Sequence, residues 1–251
     1  RALYYFSTSR GESMKKAILF SIVMAIIGAI GGYLIGMYTF SYYTNDMRAL
    51  ILEQVGTKEQ FYLLTMAQSA IYALFTAFTG YLMSTRLGLM RKLTFEKESL
   101  KRVCIQVLAL GILFFLDAPI FGHLIPEVAK EYDKGITLPY FLGSLIYGGI
   151  IEEVLLRLFF MTLIAFIVSL IQRKKNVSNR VLMTANIIAA IVFFFFFLPT
   201  TISLFGHLNF LIVFRCFFLN GLFGFVFGYY YIKYGIQYSM LAHAGLHLVS
   251  K

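Results

Sequence analysis

Two adjacent carboxylates and an arginine, Glu152, Glu153 and Arg157, fall within six positions of an apolar run long enough to cross a membrane. An ionisable residue at membrane depth costs at least ~2.5 kcal/mol on insertion scales, so three together mark a candidate functional site. At 3.6 residues per turn Glu153 and Arg157 stack on one face, acid first, whereas Glu152 lies about 100° around the helix. The spacing predicts that Arg157 holds Glu153 and leaves Glu152 available. His243 and His247 form a second cluster, one helical turn apart in the short last apolar segment. Neutral imidazoles ligate metals, orient water or donate to a developing oxyanion. The bland alternative is two histidines hydrogen-bonded within a bundle, with the small Ala244 and Gly245 permitting close packing.

Carboxylates and histidines on separate segments supply the parts for peptide hydrolysis without a covalent intermediate. A glutamate takes a proton from water, and a histidine or metal steadies the oxyanion. Burial disfavours charge on an unpaired carboxyl and suits it to general-base work, while a neighbouring arginine keeps its partner ionised. That division assigns Glu152 as base and Glu153 as structural partner. Glu152, His243 and His247 could together hold zinc, but the same groups suit a metal-free mechanism, and the expectation is no tightly held metal or other cofactor.

The elements that must position these residues are helices. Hydrophobic residues make up 59% of the 251 and charged ones 14%, which excludes a soluble globular domain. The fold class expected is all-α, a polytopic membrane bundle of about seven segments near 16–42, 61–84, 103–125, 139–170, 181–198, 209–232 and 236–249. The last is short, and the fourth is long enough to be tilted or broken. No internal repeat is evident. The chain divides into an N-terminal tail at 1–15, membrane helices one to three over 16–137, and a core over 138–251 carrying the site.

The net charge of +10 is uneven. Arg10, Lys15 and Lys16 precede the first segment; Arg86, Arg91, Lys92, Lys97, Lys101 and Arg102 crowd the second loop; Arg173, Lys174, Lys175 and Arg180 fill the fourth. By the positive-inside rule the N-terminus and these loops face the cytoplasm, with the C-terminus outside if seven segments cross. The basic loops are read as topology signals that touch membrane lipid, not as a nucleic-acid surface. Residues 1–13 lack an initiator Met and read as a tag remnant or trimmed tail, and the first apolar stretch as a retained signal-anchor helix. Cys104 and Cys216 are placed toward opposite faces of the bilayer and are not expected to pair.

The segments 152–157, 193–201 and 243–247 together resemble the three motifs of the CAAX-protease and bacteriocin-processing (Abi) family of intramembrane endopeptidases, over roughly residues 138–250. The family's first motif, EExxxR, matches at Glu152, Glu153 and Arg157, and its third, HxxxN or a variant, at His243 with His247 in the variable place. The roles this implies agree with the sorting above: first Glu as base, second paired with Arg, histidines around the water. The second motif, FxxxH, departs. In Phe193-Phe194-Phe195-Phe196-Phe197-Leu198-Pro199 a phenylalanine, Phe197, stands where the histidine belongs, and it can neither ligate nor donate. The resemblance thus implies an inactive or impaired variant of an active fold. His207, the nearest other candidate, lies ten residues on, across an expected loop at Pro199. The segment boundaries also set Phe197 at the outer end of the fifth helix and Glu152 about 20 Å into the fourth, too far apart to meet unless those boundaries shift.

The remaining polar residues take structural readings. Asp117 reads as an interfacial carboxylate beside a helix break at Pro119, Arg215 as snorkelling or paired with a carboxylate, Asn186 and Asn220 as partners of nearby backbone, and His123 and His207 as solvated end residues. Glycines 221, 224 and 228 fit helix packing.

The leading function is hydrolysis of a peptide or membrane-anchored protein tail by water activated at Glu152, in an integral membrane protein whose lysine-rich start and compact loops suggest a bacterial cell membrane. The alternative is a non-catalytic membrane interaction partner or bacteriocin self-immunity protein. A secondary transporter would also explain midplane charges, but the missing repeat counts against it.

Overall fold

The computed structural model describes the backbone of residues 2–133, 135–174 and 176–249 and the side chains of 11–129, 135–174, 176–202 and 205–249. Lys175 and the side chain of Arg10, both placed in basic flanks above, lie outside the described residues. Every regular element among them is helical. In order these are α1 (Ala2–Tyr42), α2 (Asn45–Val55), α3 (Lys58–Arg86), α4 (Lys97–Phe115), α5 (Asp117–Leu124) and α6 (Pro126–Asp133). They are followed by α7 (Leu138–Ile171), α8 (Asn179–Phe205), α9 (Phe210–Tyr234) and α10 (Ile236–Val249).

Among the described residues six helices are long and apolar enough to cross a membrane: Gly11–Tyr42, Lys58–Arg86, Lys97–Leu124, Leu138–Ile171, Asn179–Ile202 and Phe210–Tyr234. The protein is an integral membrane helical bundle. The seventh expected segment is α10, whose 14 residues rise only about 21 Å against a hydrocarbon thickness of about 30 Å. Instead of facing lipid it is packed among α4, α7 and α9, burying Ser239, Ala242, His243 and Leu246. It starts directly after Gly235, whose φ of 107° reverses the chain out of α9.

Sequence determines the close contacts. α1 and α3 pack along a small-residue stripe in which Gly28, Gly32 and Gly36 meet Ala73, Ser69 and Thr65. A Cβ at Gly32 would fall 2.6 Å from the Thr65 carbonyl oxygen, so glycine is what lets the two backbones approach. α3 begins with a complete capping box, Thr57 and Gln60 each bonding the other's backbone N–H.

Two elements differ from expectation. α7 is neither broken nor uniformly α-helical: Ser144–Ile151 and Val154–Met161 are π-helical, with Glu152 and Glu153 between them. The Glu152 N–H donates to the Tyr147 carbonyl, five residues back, and the Thr162 hydroxyl caps the Arg157 carbonyl at 3.0 Å. Such widened turns are uncommon and recur at functional sites. α8 does not end at Pro199 but runs through it to Phe205, closed by Gly206 in the left-handed region. Proline is tolerated within membrane helices where neighbouring groups satisfy the freed backbone. The helix continues past it, with the Thr201 hydroxyl donating to the Phe197 carbonyl at 2.8 Å. Phe197 consequently sits two turns inside the helix.

Candidate active site

The acidic pair is separated by its neighbours much as the helical sorting predicts. Glu153 is fully buried, and its Oε1 forms an ion pair with Arg157 Nη1 at 2.9 Å and lies 2.8 Å from His243 Nδ1. Its Oε2 is reached by the Ser239 hydroxyl, which also lies 2.8 Å from the Phe227 carbonyl oxygen. A hydroxyl has one proton to give, so Ser239 serves one of these acceptors at a time. Arg157 is held further by the Gly224 carbonyl, 2.7 Å from Nη2, and lies between two aromatic faces, 5.2 Å from the Phe193 centroid and 5.6 Å from that of Phe227. A buried charge persists only when paired, and Arg157 has a carboxylate, a carbonyl and two aromatic rings about it.

His243 connects this buried group to α10. Its ring stacks on Phe227 with centroids 4.4 Å apart and on His247 at 5.0 Å. With Nδ1 against a carboxylate, a neutral ring carries its proton there and keeps the Nε2 lone pair for other work. Room for both rings comes from α7: a Cβ at Gly148 would lie 2.9 Å from His247 Nε2 and 3.9 Å from His243 Nε2. The neighbouring Gly149 brings the backbones together, since a Cβ there would fall 2.7 Å from the Ala244 Cα.

Glu152 faces the other way. It is half-buried and lines a cavity of about 470 Å³ among α3, α7 and α8, with Tyr72, Tyr147, Phe193 and Phe197 in the wall. Every other residue lining that cavity is apolar, aromatic or a threonine. The separation expected between Glu152 and Phe197 is therefore corrected, because the continuation of α8 past Pro199 brings both residues to one cavity.

The other candidates are elsewhere. His207 is exposed beyond the Gly206 cap with Nδ1 3.0 Å from the Phe205 carbonyl oxygen, and it does not line the Glu152 cavity. His123 is exposed near the end of α5. Asp117, buried at the start of α5, is gripped by Arg215 of α9 through bonds of 2.8 and 2.5 Å, so the arginine pairs and does not snorkel. Asn186 and Asn220 donate to the carbonyls of Phe225 and Cys216. Cys104 and Cys216 are free thiols. Among the described residues no group of three or more His, Cys, Asp or Glu side chains is arranged to hold a metal ion.

Ser239, Phe227 and Gly148 did not emerge from the motifs. Ser239 left a signal: it precedes His243 by four residues as His243 precedes His247, so the three share one face of α10. Phe227 and Gly148 left none, because their roles depend on which helix lies opposite.

Residues 134–249 match the family model described as Type II CAAX prenyl endopeptidase Rce1-like. That segment is similar to the CAAX-protease family. The match begins four residues before α7 and takes in every residue of the Glu153 and Glu152 groups on α7 to α10. The match supports, in general terms, a CAAX-type intramembrane protease. No curated protein and no solved structure matches the chain.

Proposed function

We propose that this CAAX-protease scaffold hydrolyses an amide in a peptide or membrane-anchored protein tail with water activated by Glu152, and that the native chain is impaired because Phe197 occupies the place of a polar partner. The supporting observation is the division of labour on α7: Glu153 is saturated by Arg157, His243 and Ser239, while Glu152, next to it in sequence, opens on a cavity.

In this reading Glu152 removes a proton from water as the oxygen attacks the scissile carbonyl. The carbonyl π electrons pass to oxygen, giving a tetrahedral oxyanion. Collapse breaks the C–N bond, and the proton held by Glu152 goes to the departing amine. Glu153 orients His243 through Nδ1, and His243 and His247 stand on the Glu153 side of α7, outside the lining of the Glu152 cavity. No residue of this mechanism requires a metal, and we propose none.

Phe197 lines the Glu152 cavity where the family resemblance calls for histidine. Loss of one oxyanion donor costs about 10²–10³ in rate. The aromatic lining also supports a second reading, a membrane interaction or bacteriocin self-immunity protein that retains the fold and accepts a hydrophobic segment without cutting it. Comparing the native chain with Phe197→His on one membrane-anchored peptide separates them. A gain of about 10² or more in cleavage supports the protease reading; equal, background-level cleavage by both supports binding alone.

A further inference from the structure

At one end of the bundle, α1, α3 and the loop that follows α3 line a second cavity of about 880 Å³, none of whose lining residues lines the Glu152 cavity. Its chemistry is graded. One end carries Lys16, Arg91 and Lys92 against a single carboxylate, Glu12. The other end is walled by Leu19, Phe20, Val23 and Met24 of α1, with Tyr81 of α3 opposite. Leu19 and Val23 are 65% and 42% exposed, so this apolar wall is open. From Glu12 to Met24 the helix rises about 18 Å, enough to pass from a headgroup region well into hydrocarbon. The loop that supplies Arg91 and Lys92 follows the end of a spanning segment at Arg86. Cationic and apolar walls therefore follow each other in the order in which a phospholipid presents phosphate and acyl chain.

The basic rim is fixed in place. Arg91 Nη2 donates to the Ile232 carbonyl at 3.2 Å, and the Gln237 amide donates to the carbonyls of Lys92 and Thr94 at 3.0 and 3.1 Å. The Glu96 N–H donates to the Tyr238 hydroxyl at 2.7 Å. Lys16 and Lys92 stay exposed, with Lys16 paired to Glu12, 2.6 Å away.

We propose that this groove binds one anionic glycerophospholipid, its phosphate between Lys16, Arg91 and Lys92 and an acyl chain along Leu19, Phe20 and Val23. Three cations against one carboxylate favour an anionic headgroup over a zwitterionic one. The site also bears on the active site, because the loop forming its rim is bonded to Gln237 and Tyr238, immediately before Ser239 on α10.

The test is a titration of the full chain in neutral detergent with phosphatidylglycerol, with phosphatidylcholine of the same chains, and with inorganic phosphate, followed by native mass spectrometry. Phosphatidylglycerol is retained at one molecule per chain and phosphatidylcholine is not. Lys16→Ala or Lys92→Ala weakens retention about fivefold and the pair about 30-fold, with unchanged thermal unfolding because both lysines are exposed. Leu19→Ser, which alters no charge, also weakens it several-fold. Equal retention of the two lipids, or an unchanged affinity in the double lysine variant, overturns the proposal. Displacement of the lipid by equimolar inorganic phosphate overturns the role of the apolar wall.

Discussion

His243 Nδ1 and Glu153 Oε1 meet at 2.8 Å across 90 residues of sequence. This contact fastens the short buried helix α10 to the charged turn of α7, and it makes Glu153 an anchor of the fold as well as a neighbour of the chemistry.

Glu153→Gln leaves Arg157 charged and buried without its carboxylate, and removal of one partner of a buried pair costs about 3–5 kcal/mol. Glu152→Gln removes a half-buried charge that faces a cavity, and it changes stability by less than about 1 kcal/mol. Thermal unfolding of the two variants in the same detergent is expected to separate them clearly. Equal losses would contradict the division of labour between the two acids.

Ser239→Ala removes a hydrogen bond to a charged acceptor, worth about 1.5–3 kcal/mol. In the Phe197→His background the same change is expected to lower kcat more than it raises KM, because Glu153 then orients His243 less well. A loss confined to stability, with kcat untouched, would restrict Ser239 to a packing role.

Gly148→Ala sets a methyl 2.9 Å from His247 Nε2. That forces the imidazole aside at a cost of about 1–3 kcal/mol. Histidine side-chain resonances of His243 and His247 are expected to shift together, since the two rings are stacked. A shift at neither ring would contradict the close approach of α7 and α10.

Asp117 and Arg215 form a fork with bonds of 2.8 and 2.5 Å, and Asp117→Ala is expected to destabilise by about 3–5 kcal/mol. The double change Asp117→Leu with Arg215→Leu is expected to recover most of that loss. A double variant as unstable as the single one would show that the pair does more than satisfy charge.

Much of this was legible in the sequence because membrane helices announce themselves by apolar length, and because Glu153 and Arg157 are neighbours whether the turn is α or slightly wider. The family resemblance likewise rested on charged and histidine residues whose cost at membrane depth makes them informative. The course of α8 was not legible. Pro199 reads as a break in a soluble helix, but a membrane helix carries a proline where its neighbours satisfy the freed backbone. That single difference moves Phe197 from a helix end into the wall of the Glu152 cavity. The length of α10 was legible, yet its burial among α4, α7 and α9 was not, since a short apolar segment does not reveal whether lipid or protein surrounds it. Ser239 illustrates a third case: its spacing was visible, but its acceptor lies 86 residues away.

The central claim, that Glu152 activates the attacking water, is tested most directly by comparing Phe197→His with Phe197→His/Glu152→Gln in lipid nanodiscs, following cleavage of one membrane-anchored peptide by mass spectrometry. The first is expected to cleave, and the second to be slower by about 10²–10⁴ while remaining folded. Equal rates from the two chains would contradict the account.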